Sequence, residues 1–149
     1  LSSSSAASDV YKRQELEHHS NYVPWHYLRR NKGAIIKFAS VNEHGEINVD
    51  EFKKHITEKT KMIAFTHISN VTGTIMPIKK IIDLSKSKNI PVLIDGTQGA
   101  PHSALDVQDL GCDFYAISCH KMYGPNGLGI QKKKKNGLMF CHHIKGAAG

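Results

Sequence analysis

Three times in this sequence a short run of β-branched, aromatic and other apolar residues ends abruptly in a polar cluster. Met62 to His67 (MIAFTH) leads into Ile68-Ser69-Asn70, Val92 to Ile94 into Asp95-Gly96-Thr97-Gln98, and Phe114 to Ile117 into Ser118-Cys119-His120-Lys121. Each run is too short for a typical helix and reads as a strand. Amphipathic stretches lie between them. Val49 to Ile56 reads as a helix, and Pro77 starts another, whose Ile78, Ile81, Ile82 and Leu84 share one face as far as Asn89. Ala34 to Phe38 adds a strand, followed by an Asn-Glu-His-Gly turn at 42–45. Strands alternating with helices predict an α/β fold with a mainly parallel sheet. In such open sheets ligands bind beyond the carboxyl ends of the strands. The three polar clusters therefore predict one shared site, with Gly73 and Gly96 allowing tight turns.

Charge separates the body from its ends. The formal net charge is +7, but residues 131–149 hold five lysines and no acid, and residues 1–14 hold Lys12 and Arg13 against Asp9, which leaves 15–130 at +1. A nucleic-acid surface needs clustered basic residues interleaved with aromatics, whereas the body alternates its charges, so no nucleic-acid partner is expected. The longest apolar runs are far too short to span a bilayer, and no membrane role is expected. Cys112, Cys119 and Cys141 are odd in number and unevenly spaced, with no secretory signal before them, the pattern of a reducing, cytoplasmic setting. Residues 1–14, rich in Ser and Ala, read as a tail outside the fold. Strand-like patterning stops at Ile130, where a lysine homopolymer begins.

The polar clusters carry the chemistry. Asp95 closes an apolar strand, where a carboxylate is costly unless it is exposed or paired with a cation. Alone it reads equally well as a helix cap or a solvated loop acid, and Lys121 alone reads as a surface lysine. Together they suit chemistry that needs both. Enzymes dependent on pyridoxal 5'-phosphate (PLP) hold the cofactor on a lysine amine as a Schiff base, and use a carboxylate to keep its pyridine nitrogen protonated so that the ring withdraws electrons. Ser118 and His120 flank the lysine as hydrogen-bond donors for the cofactor phosphate. Gln98 lies where an amide reaches the ring hydroxyl, and His18 is placed to stack on the ring.

The runs E-H-H-S-N-Y-V-P-W at 17–25, T-H-I-S-N-V-T-G-T at 66–74, D-G-T-Q at 95–98 and S-C-H-K-M-Y-G-P-N-G-L-G-I at 118–130 carry a resemblance in both order and spacing. From Glu17 to Ile130 the chain resembles the class V aminotransferase-type, fold type I PLP enzymes, and most of all the SUF-system (group II) cysteine desulfurases. The double His18-His19 and Val23-Pro24-Trp25 resemble group II more than the NifS/IscS-type branch. The resemblance implies that Lys121 forms the Schiff base with PLP and moves protons at the substrate α-carbon. It also implies that Asp95 pairs with the pyridine nitrogen, Gln98 with the phenolic oxygen, Ser118 and His120 with the phosphate, and that His18 stacks on the ring and serves catalysis. Asn70 is implied to hold the substrate carboxylate.

In that family L-cysteine is converted to L-alanine, its sulfur is left as a persulfide on a separate cysteine, and a sulfur-acceptor carrier protein passes it toward iron–sulfur cluster assembly. The family is homodimeric. Its nucleophilic cysteine and a carboxylate-clamping arginine lie in a small domain later in the chain, so 15–130 is expected to be a partial large domain and the polypeptide as written to be inactive. Cys119 departs from the family, which has a small residue, often Gly, at that point, and it reads as a buried small hydrophobe rather than the catalytic thiol. The lysine run implies A-rich codons, where frames slip. With freely chosen codons, reading Lys135 to Gly149 two bases later gives K-W-V-N-V-L-P-P-Y-Q-G-G-G-G, which contains a run that the family carries there. Residues 131–149 are therefore expected to be frameshifted, and Cys141-His142-His143 to be no metal site. The competing readings are another class V PLP enzyme (a selenocysteine lyase, a kynureninase-like hydrolase or an aminotransferase), an inert fragment, or a polyanion-binding module acting through Lys132 to Lys135.

Overall fold

The computed structural model describes residues 9–13, 17–133 and 137–142, the last strand and the first by their backbone alone. Among the described residues, seven strands form one sheet in the order β2-β1-β3-β4-β5-β6-β7. The strands are β1 (Asp9–Arg13), β2 (Ile35–Ala39), β3 (Thr60–Thr66), β4 (Val92–Asp95), β5 (Phe114–Ser118), β6 (Leu128–Lys133) and β7 (Gly137–His142). β1 to β5 run parallel, and β6 and β7 add an antiparallel edge. The helices are α1 (Val23–Lys32), α2 (Val49–His55), α3 (Ile78–Lys86) and the single-turn α4 (Gly99–His102) and α5 (Val107–Leu110).

The α/β fold with a mainly parallel sheet is as expected, and the predicted elements fall within two residues of the observed ones, except that α3 ends at Lys86, three residues before Asn89. The α2 helix starts where Asn48 caps it, its side-chain oxygen accepting from the Asp50 and Glu51 amides. In α3 the isoleucine stripe faces the sheet: Ile78, Ile81 and Ile82 are buried, with Leu84 partly so. Ser85 is buried among them because its hydroxyl donates to the Ile81 carbonyl at 2.6 Å. The core joins α2 and α3 to one face of β3–β5, with Phe52 packed edge-on against Phe65 at 5.1 Å.

Two expectations need correction. Residues 1–14 were expected to lie outside the fold, yet Asp9–Arg13 is a strand in the sheet's interior, pairing with β2 on one side and β3 on the other. Its Ser-rich neighbours and its charges at Lys12 and Arg13 disguised it, since an interior parallel strand is normally a continuous apolar run. Strand pairing also does not stop at Ile130. β6 continues to Lys133, with Ala116 opposite Gln131 and Tyr115 opposite Lys132, because an antiparallel edge tolerates polar residues that a doubly covered strand does not. Residues 1–8, 14–16, 134–136 and 143–149, and the side chains of Cys141 and His142, lie outside what is described, and with them the expectation for the Cys141-His142-His143 run.

Candidate active site

The three polar clusters end neighbouring parallel strands, β3, β4 and β5, so their side chains converge at one end of the sheet. A cleft of about 220 Å³ opens there. His18, Asn70, Asp95, Gln98, Ser118, His120 and Lys121 all line it. Every site residue expected from the sequence therefore lines this one cleft. A larger hollow of about 430 Å³ lies at the opposite end of the strands, but its ionisable residues Glu58, Lys61 and Lys88 are all exposed.

Asp95 is the last residue of β4 and is buried, 7% exposed. Its Oδ1 accepts the Thr97 amide at 3.0 Å, and its backbone is held on both sides: the His67 amide donates to the Asp95 carbonyl at 2.8 Å, and the Gly96 amide to the Ala116 carbonyl at 2.7 Å. A carboxylate desolvated to this degree favours a cationic or hydrogen-bond-donating partner in the cleft. Lys121 lines the same cleft, half-buried, on a 3-10 turn (Cys119–Met122) directly after β5. That turn closes with Tyr123 in the left-handed region, φ 59°, and with the Gly124 amide donating to the Cys119 carbonyl at 2.9 Å. A Cβ on Gly124 would sit 2.9 Å from that of Cys119, so the turn is compact enough to demand glycine. Cys119 itself is half-buried, more open than the buried small hydrophobe expected.

Ser118 Oγ and His120 Nδ1 are 2.7 Å apart. With the imidazole N–H donating to the hydroxyl oxygen, the serine O–H is left for an anion in the cleft. His18, also lining the cleft, caps a second 3-10 turn (His19–Asn21), with Nδ1 2.8 Å from Ser20 Oγ and accepting the Ser20 amide at 3.2 Å. The sequence did not mark what holds this turn in place. Glu17 accepts the Thr66 amide at 2.8 Å with one oxygen and the Asn21 side-chain amide at 2.7 Å with the other, tying the His18 segment to the end of β3. Thr66, Thr97, Ser20 and Ile68 also line the cleft without having been singled out. The hydroxyls of Thr66, Thr97 and Ser20 are of a type common in any loop, and Ile68 is an apolar residue among polar ones.

Beneath the cleft His67 and Tyr115 are both buried, and Nδ1 lies 2.9 Å from the phenol oxygen. Burial holds the His67 imidazole below its ordinary pKa of 6.5, so it is neutral. Burial, reinforced by the charges of Cys112 and Asp95, pushes the Tyr115 phenol well above its usual range. Both groups are therefore neutral, and a single proton joins them, carried by the phenol or by Nδ1 according to the imidazole tautomer. Gly96 has no positive φ, so it does not supply the conformational freedom expected of it; it is glycine because the Tyr115 ring occupies the space of a side chain. Gly73, at φ +71°, does behave as expected.

A buried carboxylate, an amine in the same cleft, a hydroxyl–imidazole pair for an anion and an imidazole on a fixed turn are the donor set that PLP needs, and they fit it. A model of the aminotransferase class-V family matches residues 7–149, and the chain belongs to that family. It is 45% identical over 120 residues to a probable cysteine desulfurase of Halalkalibacterium halodurans, covering 80% of this chain and 30% of that one. Its fold superimposes on the cysteine desulfurase CsdA of Escherichia coli with a TM-score of 0.80 at 36% identity, covering 86% of this chain and 32% of that one. A structure described as SspA in complex with cysteine matches with a TM-score of 0.80 at 25% identity, covering 87% of this chain and 37% of that one. The fold is thus that of fold type I PLP enzymes in part, and the chain spans about a third of the length of these relatives.

Proposed function

We propose that the chain is the cofactor-binding part of a PLP-dependent cysteine desulfurase of the SUF-system (group II) type. The full-length protein would be a homodimer that converts L-cysteine to L-alanine and passes the sulfur through a carrier protein to iron–sulfur cluster assembly. The observation that carries the reading is the convergence of His18, Asn70, Asp95, Gln98, Ser118, His120 and Lys121, from four separate stretches, on one cleft. The desulfurase names of its relatives support the reaction, and the bound cysteine of the SspA structure supports the substrate. The His18-His19 and Val23-Pro24-Trp25 pattern supports the group.

PLP, when bound, supplies an electron sink for the substrate α-carbon. Lys121 would hold it covalently and, once released as a neutral amine, take and return a proton at that carbon. Asp95 would accept a hydrogen bond from the pyridinium N–H and keep it charged, which its burial strengthens. Ser118 would donate its O–H to the phosphate with the His120 N–H holding its hydroxyl oxygen, Gln98 would bind the phenolic oxygen, the His18 ring would lie against the cofactor face, and Asn70 would orient the substrate carboxylate.

The test is a PLP titration followed by visible absorption. The expected result is a saturable band from lysine-bound PLP in the native chain that is lost in Lys121→Ala and weakened in Asp95→Asn. A band of equal strength in Lys121→Ala would remove Lys121 from the mechanism.

A further inference from the structure

Asp95 and Gln98, the two residues of the β4 turn assigned to the cofactor, are each followed immediately by a glycine, and each glycine lies against one ring of the buried His67–Tyr115 pair. A Cβ built on Gly96 would fall 2.0 Å from Cε1 and Cζ of Tyr115 and 2.3 Å from its Oη. One built on Gly99 would fall 2.1 Å from Nδ1 and 2.5 Å from Cγ of His67. Neither glycine has positive φ, so both are required for space. The rings are joined by the 2.9 Å Nδ1–phenol hydrogen bond and stand nearly perpendicular, at 78°. The pair is thus a single hydrogen-bonded floor under both ends of the turn. An apolar pair of the same volume would pack as well, but without a bond to fix where one ring sits relative to the other; the buried polar pair fixes that position.

We propose that His67 and Tyr115 are positioning residues for the cofactor site, setting the height at which the Asp95 carboxylate and the Gln98 amide meet the cleft. The packing stands on the structure alone. That the turn presents itself to PLP rests on the function proposed above.

The experiment uses the full chain and three variants: Tyr115→Phe and His67→Leu, which keep the shape but break the bond, and His67→Asn, which keeps a polar atom where Nδ1 sits. Without PLP, amide hydrogen exchange at Gly96, Thr97 and Gln98 is expected to rise about tenfold in the first two, the effect of losing one buried hydrogen bond, and to return toward native in His67→Asn. Exchange there unchanged in Tyr115→Phe and His67→Leu overturns the proposal, and so does an increase spread evenly over the sheet, which marks a general loss of stability. With PLP, the dissociation constant read from the visible band is expected to weaken about tenfold in Tyr115→Phe and His67→Leu and recover in His67→Asn. Raised exchange with unchanged affinity overturns the link to the cofactor. A native chain that gives no Lys121-dependent band refutes the PLP reading instead, and exchange at the turn then decides the positioning claim by itself.

Discussion

Replacing Gly96 by Ala is expected to destabilise the chain by about 3 kcal/mol, through crowding alone. The added methyl would lie 2.0 Å from two Tyr115 ring atoms, short of the 3.4 Å of ordinary contact by about 1.4 Å. The ring has no room to retreat, since Tyr115 is 2% exposed and its hydroxyl is bonded to His67. The turn cannot rise freely either, because the Gly96 amide donates to the Ala116 carbonyl and the Gly96 carbonyl accepts from Ala100. Overpacking a filled core costs roughly 1–3 kcal/mol, and a broken buried hydrogen bond adds about 1 kcal/mol more. Gly73→Ala is the control: it puts alanine at φ +71° with nothing within 4 Å, a purely conformational penalty of about 1–2 kcal/mol. Urea unfolding of both variants measures the difference. With a slope of about 1.5 kcal/mol/M, the midpoint should fall by about 2 M for Gly96→Ala and by less for Gly73→Ala. A Gly96→Ala midpoint within experimental error of native, or above that of Gly73→Ala, would refute the packing argument.

Stability should also fall on mild acidification. The folded pKa of His67 lies below its ordinary 6.5, so the unfolded chain takes up the proton first; the contribution is present above about pH 6.5 and is lost as pH falls below it. Unfolding at graded pH in native and His67→Asn chains would show this as an acid slope of up to about 1.4 kcal/mol per unit that the variant lacks. Ser118→Ala should weaken PLP binding while leaving pyridoxal, which has no phosphate, nearly unaffected; equal losses for both ligands would take Ser118 away from the phosphate. Sequencing the coding DNA across Lys132 to Lys135 tests the proposed frameshift, and an uninterrupted native frame would dismiss it.

Most of the site was legible because its residues come at the ends of apolar strands, where a change from buried runs to polar clusters is visible in one dimension. The carboxylate at Asp95 and the amine at Lys121 were each ambiguous alone and became informative as a pair. What escaped depends on register between strands. His67 and Tyr115 are 48 residues apart and meet only because β3, β4 and β5 lie side by side. The glycines that follow Asp95 and Gln98 were the available signal, since glycine in a turn marks either a positive φ or a close approach, and only the second applies here. The strand Asp9–Arg13 escaped for a compositional reason: five residues with two cations beside a serine-rich stretch carry little of the pattern of an interior strand.

Whether Lys121 is the residue that holds PLP is decided by borohydride reduction of the PLP-treated chain followed by peptide mass spectrometry. The expected result is the phosphopyridoxyl mass on the peptide containing Lys121 at one equivalent per chain, absent from Lys121→Ala. Label spread over Lys132 to Lys135, or undiminished in Lys121→Ala, would contradict it.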